Sequence, residues 1–256
     1  MPTESILVVS TNNKISDIMP KNSLLNDDQA EPDPRSRYGF FKRIMTTYDR
    51  KFVWLLALLY TNGGFKALFL TVAQEMFKTQ YHQGPDQLQI TLAYILFPWN
   101  FKIFYGIISD TMAIPGTSKA KNKGYLIFFS VVQLIALLFI SFKDYESSDS
   151  LLFLLIIVSF SGAFLDVVVD GVSCIQQRRD LKYGSQDLNT WAWGFQGLGA
   201  IFSAGQGGYI AEHSKARYAF IAYAVIALIG LIYSIVLDKE IEDNEDESEN
   251  GEEPGV

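Results

Sequence analysis

Apolar residues in this sequence come in runs of about twenty, and the charged residues fall between the runs. The hydrocarbon core of a bilayer is about 30 Å thick, which a helix of roughly 20 residues crosses. Inside it a backbone must satisfy its own hydrogen bonds, so each run is expected to be helical. The pattern predicts an all-α membrane protein with six spans, at about Phe52–Ala73, Leu88–Ser109, Gly124–Phe142, Leu151–Val172, Leu188–Ala211 and Tyr218–Leu237. The first span is interrupted by Asn62-Gly63-Gly64 and by Lys66, and the second contains Pro98 and Lys102. The third reads as cleanly apolar, the fourth carries Asp166 and Asp170, and the fifth is rich in glycine.

Around these spans the chain divides into three parts. Residues 1–50 are polar, carry Pro20, Pro32 and Pro34, and read as a disordered cytoplasmic arm ending in Lys42, Arg43, Arg50 and Lys51. Residues 51–237 form the transmembrane domain, and 238–256 an acidic disordered tail. The net charge of −7 belongs to that tail: without it, twenty basic residues face eighteen acidic ones. The basic residues flank apolar runs instead of forming a patch, so nucleic-acid binding is not expected. With Cys174 as the only cysteine, and with His82 and His213 far apart, no disulfide, metal site or cofactor is expected either. Ile6–Val9 is too short for a signal peptide, which leaves the first span to act as targeting signal and anchor.

The short loops set an orientation. Lys119, Lys121 and Lys123 follow the second span, and Arg178, Arg179 and Lys182 follow the fourth. The loop after the third is net acidic. Basic residues retained on the cytoplasmic side place both termini there. The sequence does not specify which membrane holds the chain, and the plasma membrane is the default.

An ionisable group in mid-span costs at least about 2.5–3.5 kcal/mol by insertion scales, so it needs a partner or water. Here the groups are Lys66, Lys102, Asp166 and Asp170, the last two one helical turn apart on a single face. Either they line a polar cavity that binds a charged solute or a proton, or they are static ion pairs that fix helix packing. Pro98 can kink its helix. Gly106-Ile107-Ile108-Ser109-Asp110, followed by Pro115-Gly116, places a glycine and an aspartate at a cytoplasmic helix end. Gly199, Ser203 and Gly207 form a row of small residues suited to close helix packing. The first and fourth spans each carry small residues before a charge, Gly63-Gly64-Phe65-Lys66 and Gly162-Ala163-Phe164-Leu165-Asp166, as a three-plus-three inverted repeat would leave behind.

The segments Phe97-Pro98-Trp99-Asn100-Phe101-Lys102, Gly106 to Asp110 and Pro115-Gly116 resemble the folate–biopterin transporter family of the major facilitator superfamily. So do Phe164 to Gly171, Arg178-Arg179-Asp180 and Gly184-Ser185-Gln186-Asp187-Leu188, over roughly residues 50–237. The resemblance implies transport of folate, pterin or a related small solute, driven by a proton gradient. It implies that Lys66, Lys102, Asp166 and Asp170 lie on the solute or proton path. Gly106, Asp110, Pro115, Gly116, Arg178 and Arg179 would belong to the cytoplasmic gate. Gly116 is followed by Thr117-Ser118-Lys119, where that gate would carry a pair of arginines. Transporters of this family have twelve helices in two halves, so the six spans correspond to the amino-terminal half, pairing with a second half or with a second copy of itself. The alternative is a membrane partner that does not transport, or a degenerate transporter fragment. No histidine-rich or nucleophile motif lies in the spans, which argues against an enzyme.

Overall fold

A computed structural model describes residues 37–112, 114, 121–143, 145–178, 180, 182–213 and 216–236. Helix α1 (Arg37–Thr47) lies inside the stretch read as a polar arm. Its first residues, Arg37–Phe40, fall to a separate unit. The rest belongs to a helical unit with α2 (Arg50–Gly64), α3 (Lys66–Thr79), α4 (Pro85–Leu96), a 3-10 helix (Phe97–Phe101), α5 (Lys102–Thr111), α6 (Lys121–Phe142), α7 (Ser148–Gln177), α8 (Gly184–His213) and α9 (Arg217–Val236). Among the described residues the regular structure is entirely helical.

The first two arms are interrupted helices. Between α2 and α3, Phe65 turns with φ −67° and ψ −8°. Its N–H reaches the carbonyls of Thr61 at 3.1 Å and Asn62 at 3.2 Å, a local tightening of the helix. In the second arm Pro98 has no N–H to offer, and the chain passes through the 3-10 turn before resuming at Lys102. The Tyr105 hydroxyl donates to the Pro98 carbonyl at 2.9 Å and so satisfies a group that the break frees. Lys66 and Lys102 are therefore each the first residue after a break.

Five stretches are long and apolar enough to cross a membrane: Arg50–Thr79, Pro85–Thr111, α6, α7 and α9. The chain is a multi-pass membrane protein. The expected fifth span corresponds to α8, which has the length at 30 residues. It is not one of the five, because its glycines and polar residues lower its hydropathy. The helices extend beyond the apolar runs that reveal them. α7 occupies Ser148–Gln177 where the run alone marks Leu151–Val172.

α6 packs against α7 and α9, while α8 packs along α2 and α3. A core of Phe69, Phe77, Leu137, Leu155, Phe220 and Tyr223 joins α3, α6, α7 and α9. The α2–α8 seam is set by glycine. A Cβ on Gly64 would stand 2.8 Å from the Ala200 nitrogen, and one on Gly199 would stand 2.6 Å from the Thr61 carbonyl oxygen. Ser203 Oγ donates to the Gly64 carbonyl at 3.3 Å, and Gly207 faces Leu68 and Thr71. The row Gly199, Ser203 and Gly207 thus lies along the first arm. Small residues let helix backbones approach in lipid, where no hydrophobic force brings them together.

Beyond the spans, Arg43 of α1 holds Asp187 in the first turn of α8 through two hydrogen bonds of 2.7 Å. The guanidinium also lies 4.7 Å from the centre of the Tyr183 ring. Its hydrogen bond to Asp187 holds it above its ordinary pKa, against the opposing effect of burial. The carboxylate also suits the positive end of the α8 dipole.

Two substitutions test this framework. Gly64→Ala forces the α2–α8 seam apart and is expected to destabilise the chain by about 2 kcal/mol, at the scale of overpacking a tight interface. Gly197→Ala, which meets nothing within 4 Å, is expected to be silent in the same detergent thermal-unfolding measurement. Asp187→Asn leaves the partly buried Arg43 charge without its carboxylate partner and is expected to cost about 2 kcal/mol, with α1 becoming open to limited proteolysis.

Candidate functional site

Lys66, Lys102, Asp166 and Asp170 line one open pocket of about 500 Å³. They come from different elements. Lys66 opens α3, Lys102 opens α5, and the two carboxylates stand one turn apart on α7. Asp166 forms an ion pair with Lys102, whose side chain is 37% exposed against 16% for the aspartate. Asp170 accepts a hydrogen bond from the Tyr60 hydroxyl of α2. α7 is thus tied to the second arm through one carboxylate and to the first through the other.

Trp99 lies at the centre of the group, placed there by the 3-10 break. The Lys66 ammonium stands 3.5 Å from the centre of its ring, and the Lys102 ammonium 4.9 Å. The indole N–H donates to Ser159 Oγ on α7 at 3.1 Å, which fixes the plane of the ring. A cation over an aromatic face gains about 2 kcal/mol or more where water is scarce. Among the described residues Lys66 makes no ion pair, so the aromatic face is its principal stabilising contact. That leaves on the pocket wall an ammonium with no carboxylate in direct contact, attracted by Asp166 from a distance. The far wall carries Asn189, Trp193 and Gln196, all on α8. Gln196 Oε1 is buried without a hydrogen-bond partner.

A smaller chamber of about 20 Å³ lies deeper, sharing Tyr60, Lys66, Trp99 and Asp166 with the outer pocket. Asn62, Gly63, Gly162 and Tyr223 complete its walls. Asn62 Nδ2 donates to Gln133 Oε1 at 3.1 Å, and Gln133 Nε2 donates to the Tyr223 hydroxyl at 3.1 Å. This polar chain crosses from α2 through α6 to α9 with every member buried.

The remaining expected residues are elsewhere. Gly106 packs on Val167 of α7, where a Cβ would stand 3.7 Å from Val167 Cγ1. Asp110 is exposed at the end of α5, and its carbonyl accepts from Lys121 Nζ at 2.8 Å. Arg178 caps the end of α7 and is exposed. Pro115, Gly116 and Arg179 lie outside the described residues.

Sequence reasoning missed Asn62 as a wall residue, and it missed Gln133, Tyr60 and Tyr223. Gln133 corrects the reading of the third span as cleanly apolar. An amide at the middle of a 22-residue apolar helix needs a partner in lipid, and that was the available signal.

A family model described as the BT1 family matches residues 63–254, most of the chain. The chain is 26% identical over 208 residues to "Probable folate-biopterin transporter 4" of Arabidopsis thaliana, covering 80% of this chain and 42% of that protein. It is 25% identical over 165 residues to "Folate transporter 1" of Plasmodium falciparum, covering 64% of this chain and 29% of that protein. It is 26% identical over 195 residues to "Putative folate transporter 2" of Plasmodium berghei, covering 75% and 41%. The chain therefore spans less than half the length of these curated relatives. No solved structure matches it. With most of its length matched by one family model, and with a helical membrane bundle enclosing a charged pocket, the chain belongs to the BT1 family.

Proposed function

We propose that the chain is one half of a major-facilitator-type transporter that moves folate, pterin or a related small solute together with protons. The observation that carries this reading is the convergence of Lys66, Lys102, Asp166 and Asp170 on one open pocket around Trp99. The names of the relatives supply the solute class. In this reading a solute carboxylate, such as folate carries, approaches Lys66, which among the described residues has no carboxylate in direct contact. As it does so it competes with Asp166 for Lys102, so that arrival of the solute loosens the ion pair between the second arm and α7. The six spans form a three-plus-three inverted repeat, with both termini cytoplasmic and the plasma membrane as the site of action. Gly106, Asp110, Pro115, Gly116, Arg178 and Arg179 contribute to the gate.

A second half, or a second copy of the chain, completes the pocket. The arm Pro85–Thr111 buries only 22% of its most apolar stretch, against 44–56% in the other four. Ile103, Phe104 and Ile107 are exposed along it, and Ile201 and Phe202 are exposed on α8. The same exposed faces favour a second reading, in which the chain does not transport until it is paired.

Uptake of labelled folate by transport-deficient cells separates the readings, with surface expression confirmed and acid and neutral external pH compared. Uptake greater at acid pH, and lost in Lys66→Ala and Asp166→Ala, is the expected result. Uptake that appears only when a second half is co-expressed supports the paired reading, and its absence in both settings overturns folate transport. The ion pair has its own test in thermal unfolding. Lys102→Met is expected to cost about 2 kcal/mol by leaving Asp166 unpaired, discounted for the exposure of the lysine. Adding Asp166→Leu is expected to recover part of that loss.

A further inference from the structure

A buried polar chain of Asn62, Gln133 and Tyr223 leads away from the charged pocket. Asn62 is 5% exposed, and its Oδ1 has no hydrogen-bond partner although it borders the inner chamber. The other end of the same amide is held, because Nδ2 is engaged by Gln133 and Gln133 is in turn engaged by Tyr223. A buried carbonyl oxygen without a donor is costly, and it recovers that cost when a donor arrives. The site is therefore preorganised as an acceptor.

The surroundings limit what can arrive. The chamber, at about 20 Å³, admits the edge of a molecule and not a whole ring. Glycine keeps it open: a Cβ on Gly162 would lie 3.5 Å from Gln133 Nε2 and 3.9 Å from Trp99 Cζ2, within the space now free. The chamber shares Tyr60, Lys66, Trp99 and Asp166 with the outer pocket of about 500 Å³, so the two adjoin and a ligand in the outer pocket lies beside it.

We propose that Asn62 determines solute specificity by accepting an N–H from the edge of a planar heterocycle, with Gln133 and Tyr223 as positioning residues that hold its amide. The inference rests on the transport reading above and extends it. The charged pocket holds the anionic tail, and the Asn62 chamber reads the amino-bearing ring. A ring edge without a donor leaves Oδ1 unsatisfied and is discriminated against.

The test is equilibrium binding to the full chain in lipid nanodiscs, using three labelled probes. Folic acid has both ring and tail, biopterin has the ring without the glutamate tail, and 4-aminobenzoyl-glutamate has the tail without the ring. Asn62→Ala is expected to weaken folic acid and biopterin by about tenfold or more, the scale of one buried hydrogen bond with its unsatisfied partner, while 4-aminobenzoyl-glutamate is unaffected. Gly162→Ala leaves the polar chain intact and fills the chamber, and the same split is expected. Tyr223→Phe should give a weaker form of it. Equal loss of all three probes in both variants, or no loss in either, overturns the role of Asn62 while leaving the transport reading in place. A wild-type chain that binds none of the probes, both alone and assembled with a co-expressed second half, overturns the transport reading and this inference with it.

Discussion

A charge placed in the hydrocarbon of a bilayer must be neutralised within a few ångströms or reached by water, and the central part of this bundle is arranged around that requirement. Two lysines and two aspartates face one another across the helices, and the side chains between them are chosen to share charge. Lys102 meets Asp166, Tyr60 supports Asp170, and Trp99 presents its ring to both lysines. Apart from Trp99 and Lys102, which share the second arm, each group comes from a different span from its partner. The tertiary arrangement is therefore held by polar contacts at its centre and by apolar packing around it.

The arrangement depends on where the helices break. Without the interruption at Phe65 and the 3-10 turn at Pro98, the directions of Lys66, Trp99 and Lys102 would follow a regular helical repeat. The seam between Gly64 and Gly199 then sets the distance of the first arm from α8, and with it the width of the pocket. An added methyl group at the seam is felt at the pocket because Gln196, on the same stretch of α8, lines its wall.

The spans were legible because water and lipid separate residue types strongly, and a run of twenty apolar residues suits few environments besides a bilayer. Lys66, Lys102, Asp166 and Asp170 were legible for the same reason, each being costly where it stands. Asn62, Gln133 and Tyr223 carry dipoles instead of charges, so their presence in a span is less conspicuous, and their alignment into one chain depends on three helices meeting. The Arg43–Asp187 pair was hidden differently. Both residues flank spans, where charge is expected, and 144 positions separate them. Helix limits were blurred because α7 continues past its apolar run, hydrogen bonding carrying the helix into the aqueous layer.

α7 carries both aspartates, and each is engaged by a different arm. Pulling the first arm from α7 strips a hydroxyl from Asp170, and pulling the second strips an ammonium from Asp166. Either displacement exposes a bare carboxylate unless solvent follows it in. Widening the pocket and wetting these carboxylates are therefore a single event, with α7 as the helix that both arms release.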